Sequence, residues 1–81
     1  MHVSVYDIEN TLFDGEADKV IAKTTTGEIT VLKDHIPLVT TLVKAPLRII
    51  DAEGKVTLVQ IKSGVLEVRP NDKIVVLLDT K

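Results

Sequence analysis

Turn-forming residues punctuate this sequence at short, regular intervals, and their spacing limits what the chain can fold into. Gly, Pro, Asn, Asp and Thr cluster at residues 7–10, 24–27, 51–54 and 70–72. The segments between them are short, rich in β-branched residues and alternately apolar and polar. Such alternation is typical of half-buried strands, and no segment keeps the 3.6-residue period of a helix.

This pattern predicts an all-β fold, built from about seven to nine short and mostly antiparallel strands. Two arrangements suit so many short strands, a small β-sandwich or a flattened barrel. We expect residues 1–81 to form a single domain, because a chain of this length has no room for a second core.

Three segments carry mixed signals. Asp14-Gly15 predicts a tight hairpin, because glycine accepts the positive φ that such turns need. Ser63-Gly64 predicts a turn or a bulge between two strands. Residues 38–43 fit either a strand or a single helical turn, and their β-branched side chains favour the strand.

Several predicted strands are apolar on both faces, most clearly residues 74–78. One explanation is a central strand that is covered on both sides. The other is a sheet face that is left uncovered and meets a partner, since a small domain has little material with which to cover both faces. The sequence leaves both explanations open.

Composition excludes several classes of function. The chain has no cysteine, which removes disulfides and thiolate metal sites. Its net charge is −2 with the signs interspersed, and Tyr6 and Phe13 are its aromatic residues. A nucleic-acid partner is therefore not expected, because it would require a basic face and stacking aromatics. No apolar run is long enough to cross a membrane, so we expect membrane contact only through another protein.

The residues also lack the patterns of a catalytic, cofactor or metal site. The histidines are His2, at a terminus that we expect to fray, and His35, beside a proline. They have no metal-ligand spacing, and the scattered glycines form no phosphate-binding loop. We therefore expect no catalysis and no cofactor. His35 can be explained as a hydrogen-bonding anchor for its loop or as a partner contact, and these roles are compatible.

Four segments carry a resemblance to a known family. They are TLFDGEADKV at residues 11–20, TGEITVL at 26–32 followed by HIPLVT at 35–40, SGVLEVRPN at 63–71, and the closing apolar run at 74–78. In this order the segments resemble the N-terminal β-sandwich domain of the epsilon subunit of F-type ATP synthase, which is called delta in mitochondria. The chain departs from the family pattern at Asp34, where family members usually carry glycine.

The resemblance implies a non-catalytic rotor subunit in the central stalk. Such a subunit couples the gamma subunit to the membrane-embedded ring of c subunits during proton-driven ATP synthesis. It would be peripheral, on the cytoplasmic face of the energy-coupling membrane or on the matrix or stroma side in an organelle.

The resemblance also assigns two contact segments. The c-ring contact falls on Thr25, Thr26, Gly27 and Glu28. The segment facing gamma and the ring falls on His35, Ile36, Pro37, Leu38 and Thr40. From the residues alone, solvation is a sufficient explanation of Glu28.

Family members usually continue into a C-terminal helical hairpin, and we expect this chain to have no such domain. An alternative function is an independent β-sandwich module that binds a ligand or a protein.

Overall fold

The computed structural model describes residues 1–79, so the last two residues of the predicted domain lie outside the described part. Nine strands and no helix occupy that part. Most strands have five or six residues, in keeping with the closely spaced turn signals. The strands are β1 (His2–Tyr6), β2 (Thr11–Glu16), β3 (Lys19–Thr24), β4 (Gly27–Leu32), β5 (Leu38–Leu42), β6 (Ala45–Ile50), β7 (Val56–Ile61), β8 (Ser63–Arg69) and β9 (Lys73–Asp79).

The strands pair in the order β2-β1-β9-β8-β5-β3-β6-β7, and β4 adds to β3. One pair, β1 with β9, is parallel, and the others are antiparallel. The predicted all-β class is therefore confirmed. Residues 38–43 form a strand as expected, ending at Leu42.

This path folds over on itself as two layers. The first layer is β2-β1-β9-β8-β5, and the second is β4-β3-β6-β7. A single ladder pair, Thr24 with Leu42, joins them. The Val43 N–H reinforces this junction by donating to the Lys23 carbonyl at 3.0 Å. The architecture is thus a sandwich that is closed along one side by β3 and β5.

The core between the layers is aliphatic. In the strands that form it, alternate residues point inward, as the sequence pattern requires. Val3, Val20, Leu47, Leu66 and Val76 have no exposed surface. Burying each such side chain stabilises the fold by about 1.5–3 kcal/mol relative to leaving it in water.

The predicted hairpin at Asp14-Gly15 is wrong, because both residues lie inside β2. Gly15 is opposite Val3 in the ladder, so β1 keeps β2 extended past the glycine. The chain turns later, at Ala17 and Asp18. The Asp18 N–H donates to the Ile50 carbonyl of the other layer at 2.8 Å, so this turn is a crossing between layers.

The predicted turn or bulge at Ser63-Gly64 is also wrong, because both residues belong to β8 and pair in unbroken register with Asp79 and Leu78 of β9. The crossing between layers is completed at Lys62, one residue earlier. Glycine is required at position 64 for another reason. A Cβ built there would lie 2.6 Å from the Leu77 carbonyl oxygen on β9.

Candidate functional site

The two contact segments predicted from the sequence lie at opposite ends of the sandwich. Residues 25–26 form the β3–β4 turn and residues 27–28 begin β4, whereas residues 33–37 connect the far end of β4 to β5. We call these ends the Thr25 end and the His35 end. Strand β4 has six residues, and at about 3.3 Å per residue it separates the segments by roughly 16–20 Å.

The Thr25 end carries an exposed polar tip, which consists of residues 25–28. Thr24 precedes this tip, is 3% exposed, and fixes the conformation of the turn through its hydroxyl group. Its hydroxyl donates to the Gly27 carbonyl at 2.8 Å and accepts the Thr26 N–H at 3.2 Å. Gly27 has a φ of 126°, which glycine adopts without strain. The sequence analysis selected the tip but missed the buried threonine that shapes it.

Glu28 has a partner within the chain. Arg48, on β6, reaches across β3 and donates to the Glu28 carboxylate at 3.1 Å. Both side chains are about half exposed, so the pair contributes only about 0–1 kcal/mol and positions the carboxylate more than it stabilises the fold. No sequence spacing relates residues 28 and 48, and only the packing of β4, β3 and β6 brings them together.

The loop at the His35 end is fixed by hydrogen bonds. The His35 backbone N–H donates to the Leu32 carbonyl at 3.2 Å, and its ring Nδ1 donates to the Ile36 carbonyl at 2.7 Å. Asp34 has a φ of 62°, in the region that glycine favours. The Asp34 N–H donates to the Asp72 carboxylate at 3.2 Å, and this bond is the main cause that lowers the pKa of Asp72.

The residues that follow this loop divide between two faces. Leu38 and Thr40 lie on the inner face of β5, half-buried, and Leu38 packs against the core. Ile36 and Pro37 are exposed. Val39 points outward and is 69% exposed, although the sequence analysis did not select it. Residues 38, 40 and 42 point inward in β5, so the alternation of the strand predicts that residue 39 points outward.

Further outward-facing aliphatic side chains lie across the first layer, separated from Val39 by Glu67 on β8. Ladder pairs place Val39 beside Glu67, Val65 beside Leu77, and Leu77 beside Tyr6. Val65 and Leu77 are 42% and 51% exposed. We call this surface the β9 face and define it by one aromatic and four aliphatic residues. They are Tyr6, Val39, Val65, Val75 and Leu77.

The second layer also exposes aliphatic side chains on its outer face, among them Leu32, Val56 and Leu58. The outer face of each layer therefore exposes aliphatic side chains among charged ones such as the Glu67–Arg69 and Glu28–Arg48 pairs. Of the two explanations left open by the sequence, the structure favours uncovered faces over internal coverage. Large contiguous patches of exposed apolar surface mark interaction sites.

His2 does not lie at a frayed end. It is part of β1, and its ring nitrogens contact the Asp14 and Glu16 carboxylates at 2.6 and 3.0 Å. The hydrogen bond to Asp14, followed by that to Glu16, raises the pKa of His2. In residues 1–79 no cluster of three or more His, Cys, Asp or Glu side chains could hold a metal ion. That same part of the chain has no helix long and apolar enough to cross a membrane.

These features define a small β-sandwich domain. It has an exposed polar tip at one end, a loop fixed by hydrogen bonds at the other, and the partly exposed β9 face. The sequence profile of the family described as "ATP synthase, Delta/Epsilon chain, beta-sandwich domain" matches residues 1–81. The chain belongs to this family, and the resemblance drawn from its four segments is confirmed.

Individual relatives agree with this assignment. The chain is 41% identical over 80 residues to the ATP synthase epsilon chain of an Exiguobacterium species, covering 99% of this chain and 58% of the relative. It is 39% identical to the epsilon chain of Brevibacillus brevis over 80 residues, covering 99% of this chain and 60% of that one. The chain thus spans less than two thirds of these relatives.

The fold also matches a solved structure. A chain in the cryo-EM structure of the Euglena gracilis mitochondrial ATP synthase, described as OSCP/F1/c-ring, superimposes with a TM-score of 0.88. The match covers 94% of this chain and 48% of the Euglena chain at 19% identity. At that identity the match establishes the shared fold.

Proposed function

We propose that this sandwich is a single non-catalytic domain in the central stalk of an F-type ATP synthase. It binds the gamma subunit through the β9 face and rests on the c-ring through the tip at residues 25–28. It thereby couples the two in the rotor during proton-driven ATP synthesis. The domain is peripheral, on the cytoplasmic side of the energy-coupling membrane or on the matrix or stroma side in an organelle.

The observation that carries this proposal is the β9 face in a chain of this family. Its central strand β9 is paired on both edges, by β1 and β8, so the face is a stiff platform. Removing its aliphatic side chains from water favours association by about 25 cal/mol per Å² of apolar area. The translational, rotational and side-chain entropy lost on binding offsets part of this gain. The segment that the resemblance assigns to gamma and the ring, His35, Ile36, Pro37, Leu38 and Thr40, adjoins this face through Val39, which lies within it.

The geometry also suits two partners at once. A partner on the β9 face leaves the Thr25 end accessible, because the tip belongs to the second layer. The tip presents hydroxyl groups and the Glu28 carboxylate, which suit polar loops of a membrane ring. The Leu38 and Thr40 side chains face inward and support the backbone behind Val39, so Ile36, Pro37 and Val39 are our proposed contacts at the other end.

A matched pair of substitutions tests the gamma contact. Leu77 on the β9 face and Leu58 on the opposite outer face are 51% and 56% exposed. The Leu77→Asp variant should weaken binding to the host's gamma subunit at least tenfold in titration calorimetry, because it places a charge in the apolar contact. The Leu58→Asp variant should bind as the unsubstituted chain does.

Val65→Asp, on the same face, replaces Leu77→Asp if circular dichroism shows that the first variant unfolds. Equal binding by the β9-face variant and by Leu58→Asp would contradict the assignment of that face.

The ring contact needs the assembled motor. Glu28→Lys should reduce ATP-driven proton pumping in membrane vesicles, whereas Glu53→Lys, in the exposed turn at the His35 end, should not. Unchanged pumping with Glu28→Lys would show that the tip does not contact the ring.

A further inference from the structure

Strands β3 and β6 separate near the Thr25 end, and we call the gap between them the fork. The two strands pair from Lys19 to Ile21 and then diverge. Beyond that point the Lys23 carbonyl accepts the Val43 N–H, so β3 has turned toward β5. On the other side of the fork stands Pro46, which has no N–H to donate to a ladder.

Two adjoining clefts occupy the fork and its mouth. The first, of about 350 Å³, is lined by apolar atoms of Ile21, Pro46 and Leu58 and by the side chains of Lys23 and Arg48. The second, of about 580 Å³, shares the wall formed by Ala45 and Pro46. Its other lining residues are Lys44, Gln60, Ile61 and Lys62. Clefts of this size can receive a single side chain with its flanking backbone.

The charged residues around the fork are mostly cationic. Four cations border it, namely Lys23, Lys44, Arg48 and Lys62, against the single carboxylate of Glu28. Glu28 is already paired with Arg48. Within the described part of the chain, none of the three lysines takes part in an ion pair. Three lysines therefore line the two clefts without an ion-pair partner among the described residues, and Glu28, opposite Lys23 in the ladder, is the one carboxylate in the lining.

We propose that this fork is a docking site for an acidic protein segment that presents an apolar side chain between carboxylates. The apolar side chain fills the cleft against Pro46 and Leu58, and the carboxylates pair with Lys23, Lys44 and Lys62. Concavity favours a peptide over a flat anionic membrane surface, because a bilayer cannot place an apolar side chain in a cleft and three lysines alone bind it weakly.

The site is separate from the β9 face, and it borders the tip that we assign to the ring at Glu28. Because its test uses neither gamma nor the ring, its failure and the failure of the proposed function can be told apart. The probe is a fluorescein-labelled pentapeptide with one leucine between two pairs of acidic residues. Its matched control carries Gln and Asn in place of the acids.

In fluorescence anisotropy at low ionic strength, the acidic peptide should bind the 81-residue chain saturably and the amide peptide should not. The double variant Lys44→Gln/Lys62→Gln should weaken binding roughly threefold to tenfold, because exposed ion pairs are individually weak. The double variant Lys33→Gln/Lys55→Gln makes the same change in charge at the His35 end and should bind as the unsubstituted chain does.

Three results would overturn the proposal. The acidic peptide could fail to bind, or both double variants could lose affinity equally, which would indicate only general charge attraction. Alternatively, vesicles of phosphatidylglycerol could bind through Lys44 and Lys62 while the peptide does not, which would assign these lysines to a membrane surface.

Discussion

Replacing Thr24 by valine should loosen the tip at the Thr25 end while leaving the sandwich folded. Valine keeps the shape of threonine but has no hydroxyl. The Gly27 carbonyl and the Thr26 N–H would each lose the partner found at 2.8 and 3.2 Å. Thr24 is 3% exposed, whereas Thr26 and Gly27 are exposed, so water replaces part of what these two groups lose.

The expected cost follows from these two bonds. A protein hydrogen bond contributes about 0.5–1.5 kcal/mol net, so losing two costs about 1–3 kcal/mol. The higher β-propensity of valine and its extra buried methyl group offset part of this. We expect the free energy of unfolding to fall by about 1–2 kcal/mol, which lowers Tm by roughly 4–16 °C in a domain of this size.

Urea unfolding followed by circular dichroism measures the loss, and amide hydrogen exchange locates it. Exchange should accelerate at Thr26, because its N–H no longer has the Thr24 acceptor, and remain slow at buried Val20. Thr30→Val is the matched control, because Thr30 is exposed on β4. A Thr24→Val variant as stable as the unsubstituted chain, or a Thr30→Val variant equally destabilised, would refute the role given to the Thr24 hydroxyl.

Two further predictions concern the stability of the sandwich. Gly64→Ala should destabilise the chain by about 1–3 kcal/mol in urea unfolding, because the new methyl would lie 2.6 Å from the Leu77 carbonyl oxygen; an unchanged midpoint would contradict the close approach. The raised pKa of His2 means that its bonds to Asp14 and Glu16 stabilise the fold fully below pH 6.5. That contribution disappears as pH rises through the folded-state value. His2→Gln should therefore flatten the fall in stability above pH 6.5, and an identical pH profile would exclude this linkage.

The sequence predicted the strands well because alternation reports burial directly. The alternation in SGVLEVR places Leu66 and Val68 on the same face, and both are buried. Turns at residues 7–10 and 51–54 also follow from local chemistry. Asp7 and Asp51 each accept two backbone N–H groups through one carboxylate oxygen, a geometry that short polar side chains favour in turns.

The errors occurred where a neighbouring strand overrides a local preference. Gly15 has the conformational freedom of a turn residue, yet pairing with β1 keeps it extended. Gly64 is required by the close approach of β9, the next strand along the chain. The pairing register that brings each partner strand against its glycine cannot be identified from the residues that flank the glycine.

The candidate site was predictable only in part. The tip at residues 25–28 and the loop at His35 were found through family resemblance. Their supports, Thr24 and Arg48, depend on burial and on packing across β3, which no local pattern encodes. The outward direction of Val39 could have been read from the alternation in β5, but Pro37 interrupts the period just before it.

The most direct test of the account is whether this chain forms a defined complex with gamma. The chain should be co-expressed with the host's gamma subunit and analysed by size-exclusion chromatography with light scattering. We expect a stable complex with one copy of each chain, which Leu77→Asp disrupts and Leu58→Asp preserves. A chain that elutes as a monomer beside folded gamma would contradict the proposed role in the rotor and favour the independent binding module.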